Sequence, residues 1–266
     1  MTFSNRYQLL IVLFLLSSCS QAEIPGSWIL PKKLNEISGL AQGFGGRIFA
    51  INDERAVIYE FDLQSGDVRG IVKIIGLDGK VVKSDIEGIA VLDEHFYLLN
   101  STGRLYKAKP DGFESITRVE SRYLDTGLSN VCEFEGLSSF KGMLFLACKK
   151  NYLKKDKGFL LIYKFDPKSE LITEYLRVDV QDLNRKKIHP SGLAVTESQI
   201  LLVAARQHLL IRLDKKGNFI GDMKLDKKAH RQTEGIVVLN SSQLILADEG
   251  KRKGGKITIY PLNTIP

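Results

Sequence analysis

Only three cysteines, one tryptophan and four histidines occur in 266 residues. So little cysteine excludes a disulfide-dense mini-fold. The histidines, at 95, 189, 208 and 230, are too scattered along the chain to mark a metal trio. Neither a G-x-S-x-G elbow nor an H-E-x-x-H pair occurs, so the sequence signatures of an α/β-hydrolase and a zincin are absent. Residues 250–256 nearly spell a phosphate loop, but Ile257 stands where Ser or Thr is needed, and a strand-like Ile-Thr-Ile-Tyr follows where a helix is required. Beyond the N-terminus no apolar run is long enough to cross a bilayer, which excludes a polytopic helical membrane protein. Basic segments interleaved with aromatics are missing as well, so nucleic acid is not expected as a partner.

What is present is ordinary globular composition, 44% hydrophobic and 26% charged. One domain is as natural as two at this length. Lysine and arginine number 38 against 31 acids, a net charge of +7 that favours anionic partners without naming one.

The N-terminus reads as an address. Residues 9–16 (LLIVLFLL) form an unbroken apolar run with Arg6 before it. Eight helical residues rise only about 12 Å against a hydrocarbon core of roughly 30 Å. The run is therefore a signal-peptide core, not a membrane span. It ends in Leu16-Ser17-Ser18-Cys19, which resembles a bacterial lipobox whose cysteine is acylated and becomes the mature N-terminus. Ser20 next to it resembles the outer-membrane-directed type. The organisation expected is a signal peptide over 1–18, lipidated Cys19 with a short tether over 19–26, and a folded unit over 27–266. Its location is the cell envelope, anchored by lipid to the outer membrane and facing the periplasm.

After residue 35 a motif recurs five times: Glu36-Ile-Ser-Gly-Leu-Ala41, Asp85-Ile-Glu-Gly-Ile-Ala90, Glu133-Phe-Glu-Gly-Leu-Ser138, His189-Pro-Ser-Gly-Leu-Ala194 and Gln232-Thr-Glu-Gly-Ile-Val237. Its glycines return every 43–56 residues. Each copy leads to further short alternating runs separated by turn signals such as Gln64-Ser-Gly66 and Pro110-Asp-Gly112. Four strands per repeat, with no helical period between them, predict an all-β, five-bladed β-propeller. The glycine belongs where innermost strands crowd the axis. The last repeat lacks room for a fourth strand, and residues 27–30 are the remaining strand-like piece. That N-terminal strand is expected to complete the last blade and close the ring.

The S/E-G-[LI]-[AVS] motif, the Ile-Asn52-Asp-Glu54 segment and Leu-Asn100-Ser-Thr-Gly-Arg-Leu-Tyr106 resemble the SdiA-regulated (YjiK-like) family over about residues 30–262. The resemblance implies a cell-envelope propeller, distantly related to the esterase-like phytase and SMP-30 lactonase groups. It implies no established activity.

Stacked around an axis, the residues before the glycines (Ser38, Glu87, Glu135, Ser191, Glu234) and those two earlier (Glu36, Asp85, Glu133, His189, Gln232) make two polar rings at the channel mouth. Crowded carboxylates repel unless a charge offsets them, and Ca²⁺ prefers such oxygen ligands. Glu87, Glu135, Glu234, Asp53 and Asp248 are the candidate metal ligands. Glu36, Asp85, Glu133, His189, Arg206 and His230 are the candidate ligand-binding residues. The same carboxylates can instead be held by backbone N–H groups or by Arg206, His189 or His230. Lysine-rich loops at the same mouth suit an anionic small ligand, though they also suit plain solubility or anionic headgroups. Two functions remain open: an envelope propeller that binds a ligand or protein partner, and a metal-dependent hydrolase of a phosphate ester or lactone. Cys132 and Cys148 flank a hairpin with its turn expected near residues 139–141, so they could bond or remain free thiols.

Overall fold

The computed structural model describes residues 26–113, 116–250 and 254–265. The signal segment, Cys19 and the tether up to residue 25 lie outside them. Five sheets, each built on four antiparallel strands, form five blades of a β-propeller. The first blade holds β2 (Ile37–Gly43), β3 (Arg47–Asn52), β4 (Val57–Phe61) and β5 (Val68–Ile75), running from axis to rim. The second holds β6 (Ile86–Leu92), β7 (His95–Asn100), β8 (Arg104–Ala108) and β10 (Arg122–Asp125), with β9 (Thr117–Glu120) lying between the last two in sequence. The third holds β11 (Cys132–Phe140), β12 (Met143–Asn151), β13 (Phe159–Asp166) and β14 (Leu171–Asp179). The fourth holds β15 (Gly192–Val195), β16 (Gln199–Ala204), β17 (Leu209–Asp214) and β18 (Phe219–Lys224). The fifth holds β19 (Thr233–Leu239), β20 (Gln243–Asp248), β21 (Lys256–Pro261) and, as its outer strand, β1 (Ser27–Ile29).

The ring closes as the sequence predicts. β1 pairs antiparallel with β21, Trp28 opposite Ile257, while Leu30 and Leu34 are buried between the first and last blades. The recurrent glycines sit where innermost strands touch. A Cβ on Gly88 would lie 2.7 Å from Leu137 Cβ in the next blade, and one on Gly192 would lie 2.5 Å from the Glu234 carbonyl oxygen. Neither contact is tolerable for a larger residue. The residues after the glycines, Leu40, Ile89, Leu137, Leu193 and Ile236, are all buried around the axis and form an apolar plug.

Two features differ from the sequence expectation. Residues 117–123 read as one outer strand of the second blade, yet the chain divides at Ser121. β9 pairs parallel with β5 of the first blade, and only β10 pairs with β8. The Ser121 N–H and hydroxyl both donate to the Ile75 carbonyl, pinning the switch. The third-blade hairpin turns at Lys141-Gly142, both with positive φ, so Cys132 stands opposite Asn151 in register and not opposite Cys148.

Candidate metal centre at the hub

Innermost strands begin on one face of the disc, called the upper face here, and loops joining second to third strands share it. In four blades the innermost strand carries a β-bulge just before its glycine. Register jumps from Ile37 to Gly39, Ile86 to Gly88, Phe134 to Gly136 and Thr233 to Gly235. The extra residues are Ser38, Glu87, Glu135 and Glu234. A bulge frees a residue from the ladder and re-aims its side chain. Here all four side chains line one axial cavity directly above the apolar plug.

Oxygens of Glu87, Glu135 and Glu234 lie within 4.8 Å of one another. Two ligands on opposite sides of a Ca²⁺ span about 5 Å. Ser38 is 1% exposed, and its hydroxyl has no hydrogen-bond partner among the described residues. An orphaned buried hydroxyl beside three carboxylates is a donor set of hard oxygens, which fits Ca²⁺ and other hard cations. The fourth-blade member, Ser191, is different: its hydroxyl donates to the Thr233 carbonyl at 2.7 Å and accepts from the Ala205 N–H.

Burial sets the electrostatics. Loss of solvent, reinforced by Glu135 and Asp85, pushes Glu87 up to about 9. Burial likewise pushes Glu234 up to about 8, although its side chain accepts a hydrogen bond from Gln232. Glu135 is raised to about 7 by burial, with Lys149 pulling the other way. Lys149 Nζ lies 2.7 Å from Glu135 and 3.5 Å from Glu133. Burial alone would lower the Lys149 pKa, but Glu135, Glu87 and Glu133 outweigh it and raise it. The hub is thus a proton-rich carboxyl cluster with one built-in cation at its edge.

The remaining expected residues fall into separate groups. Asp53 is raised by burial and by Glu36 and Asp85, with which it forms a second acidic group between the first and second blades. One of its oxygens has no partner among the described residues, yet it does not join the hub trio. Asp248 does not join it either. Its carboxylate accepts from Thr233 at 2.7 Å and meets His230 Nδ1 at 2.8 Å, while His230 Nε2 meets the Tyr260 hydroxyl. His230 is 1% exposed. The structure thus places Asp248, expected as an outer metal ligand, and His230, expected as a ligand-binding residue, together in a buried network apart from the hub trio. Glu133, His189 and Arg206 line a cavity of about 530 Å³ between the third and fourth blades. His189 and Arg206 also line a neighbouring cavity of about 310 Å³ that opens onto Glu135 and Glu234.

Sequence reasoning passed over Lys149 as an individual, although it links hub and cleft, and over His208, which lines the smaller cavity. The position of Lys149 at the end of the third blade's second strand was the available signal. Cys132 and Cys148 form a disulfide with Cα atoms 5.8 Å apart, and Cys148 is part of the cleft wall.

No family model matches the chain, and no curated protein matches it. Solved structures do. A glutaminyl cyclase of Myxococcus xanthus is 15% identical with a TM-score of 0.57, covering 88% of this chain and 95% of its own. A luciferin-regenerating enzyme is 10% identical with a TM-score of 0.55, covering 86% and 92%. A regucalcin of Agrobacterium tumefaciens, described as a calcium-binding protein, is 13% identical with a TM-score of 0.54, covering 90% and 94%. At such identities the likeness establishes the propeller fold and nothing finer.

Proposed function

We propose that this chain is a lipid-anchored cell-envelope propeller, facing the periplasm from the outer membrane, that binds an anionic small ligand or an envelope protein beside a Ca²⁺ held at the hub. The observation that carries the metal is the bulged set Glu87, Glu135 and Glu234 together with the unpartnered buried hydroxyl of Ser38. Three anions so close are stable only when protonated or when a cation sits among them. A propeller of the same fold is a calcium-binding protein, which accords with the choice of ion. The apolar run over 9–16, Cys19 and the resemblance to the SdiA-regulated family support the address. Incorporation of labelled fatty acid, abolished by Cys19→Ser, tests the anchor.

Calorimetric titration with Ca²⁺ at pH 8 tests the hub. Saturable binding to one site per chain is expected, with a raised melting temperature and about tenfold weaker binding in Glu135→Gln. A melting temperature indifferent to millimolar Ca²⁺ would leave the carboxyl cluster as a structural, self-protonated hub.

One observation favours hydrolysis as a second reading. The Nδ1 atoms of His189 and His208 each lie 3.0 Å from a backbone carbonyl, of Lys149 and His230 respectively. A carbonyl only accepts, so each Nδ1 carries the proton and each Nε2 is the basic nitrogen. Both rings line the cavity that opens on Glu135 and Glu234, where a base could activate a water for attack on a phosphate ester or lactone. Turnover of such esters with Ca²⁺, lost in Glu135→Gln, would establish the enzyme over the binder.

A further inference from the structure

The cavity between the third and fourth blades has a composition unlike the hub it adjoins. Lys150, Lys157, Lys186, Lys187, Arg206 and His189 line it, and Glu133 is its one acid. Glu133 already faces Lys149 at 3.5 Å. Among the described residues, none of Lys150, Lys157, Lys186, Lys187 and Arg206 makes an ion pair. Elsewhere on the molecule Arg69 pairs with Glu60, Arg122 with Glu170 and Lys141 with Glu197. Five like charges around one depression repel one another, and the lining offers only Glu133, already engaged by Lys149, with Glu135 acting on Arg206 from the hub. An anion in the cleft would offset them.

We propose that this cleft is an oxyanion subsite for a phosphate monoester, with the ligand's organic body against Phe159, Val180 and Ile188. Three features select this class. The volume, about 530 Å³, is that of a small-molecule site. The guanidinium of Arg206 offers a planar fork to two oxygens, and the lysines act as mobile point charges around the rest. A monoester carries nearly two charges and three acceptor oxygens near neutral pH, which suits several cations better than a singly charged carboxylate or diester does. Lys149, His189 and Arg206 line both this cleft and the smaller cavity above the hub, so the bound group lies one side chain from Glu135. The inference names the ligand class for the binding reading above and rests on that reading, but it does not need the hub cation.

The test is calorimetric titration of the full chain with phenyl phosphate in excess chelator, so its failure is distinct from a failure to bind Ca²⁺. Expected is saturable one-to-one binding, about tenfold weaker in Lys187→Ala and in Arg206→Ala, restored by Lys187→Arg, and weakened by salt. Lys227→Ala/Lys228→Ala, basic residues of the same face but outside the cleft, should stay within about twofold of the parent. Diphenyl phosphate should bind more weakly than the monoester. Absence of saturable binding overturns the proposal. Equal losses in the Lys227/Lys228 variant overturn it too, because binding would then follow general charge. So would attachment to phosphatidylglycerol vesicles without a response to phenyl phosphate, because a flat basic surface would then be reading lipid headgroups.

Discussion

At the scale of single residues, the hub makes a prediction with a definite sign. Glu87 and Glu234 titrate near 9 and 8 in the fold, well above the ordinary carboxylate value of 4.5. An acid whose pKa is raised by folding binds more protons folded than unfolded. Its contribution to stability is therefore complete below about pH 4.5, falls progressively above it, and is gone once pH has risen through the folded values of about 8 and 9. The melting temperature of the chelated protein should fall between pH 6 and 9.5. Glu87→Gln, which imitates the protonated acid, should flatten that fall, and Ca²⁺ should counter it by binding the deprotonated cluster. A chelated melting temperature that rises across this range would contradict the cluster's electrostatics. The acids themselves are legible in the sequence because each precedes a repeat glycine. The fate of Asp248 is not. Its partners His230 and Thr233 stand in another strand and its approach, and only the pairing of β19 with β20 brings them to it.

At the scale of elements, the repeat motif is a bulge followed by a contact glycine, and both parts have work to do at the axis. The glycine lets neighbouring innermost strands approach, and the bulge turns the preceding side chain into the cavity. Sequence periodicity shows the strand and the glycine but not the slip in register, because one extra residue leaves the local alternation looking intact. The same blindness hid the division at Ser121. Residues 117–123 alternate smoothly, and only the Ile75 carbonyl reveals that β9 belongs to the neighbouring blade. Bulging also shaped the third blade, where Cys132 and Cys148 meet across a shifted register with a sequence separation of 16. A loop of that size gives the bond a stabilising effect of about 3 kcal/mol, exerted through the unfolded chain. Cys132→Ser/Cys148→Ser should lose about that much in denaturant titration. Reductant should reproduce the loss in the parent and do nothing to the double variant. Equal sensitivity of both proteins to reductant would remove the disulfide from the account.

At the scale of the whole molecule, the fold is a ring whose last blade borrows its outer strand from the beginning of the chain. The count of strands made this legible: five repeat motifs, but room for only three strands in the fifth repeat, its motif strand included. β1 is short, and three paired residues alone would hold weakly. The segment around it supplies the rest. Trp28 packs edge-on against Phe61 of the first blade at 5.4 Å, and Leu30 and Leu34 are buried at the junction. Each such leucine contributes about 2 kcal/mol on burial. Removing residues 24–34 should therefore cost more than 4 kcal/mol and bare the edge of β21 for pairing with other chains. The full chain without that segment should sediment as oligomers or aggregate, and any soluble fraction should melt far below the parent. A monomer that melts cooperatively within a few degrees of the parent would mean that the ring is held by its inner contacts, chiefly those among β2, β6, β11, β15 and β19, and that the borrowed strand is an ornament on an already closed structure.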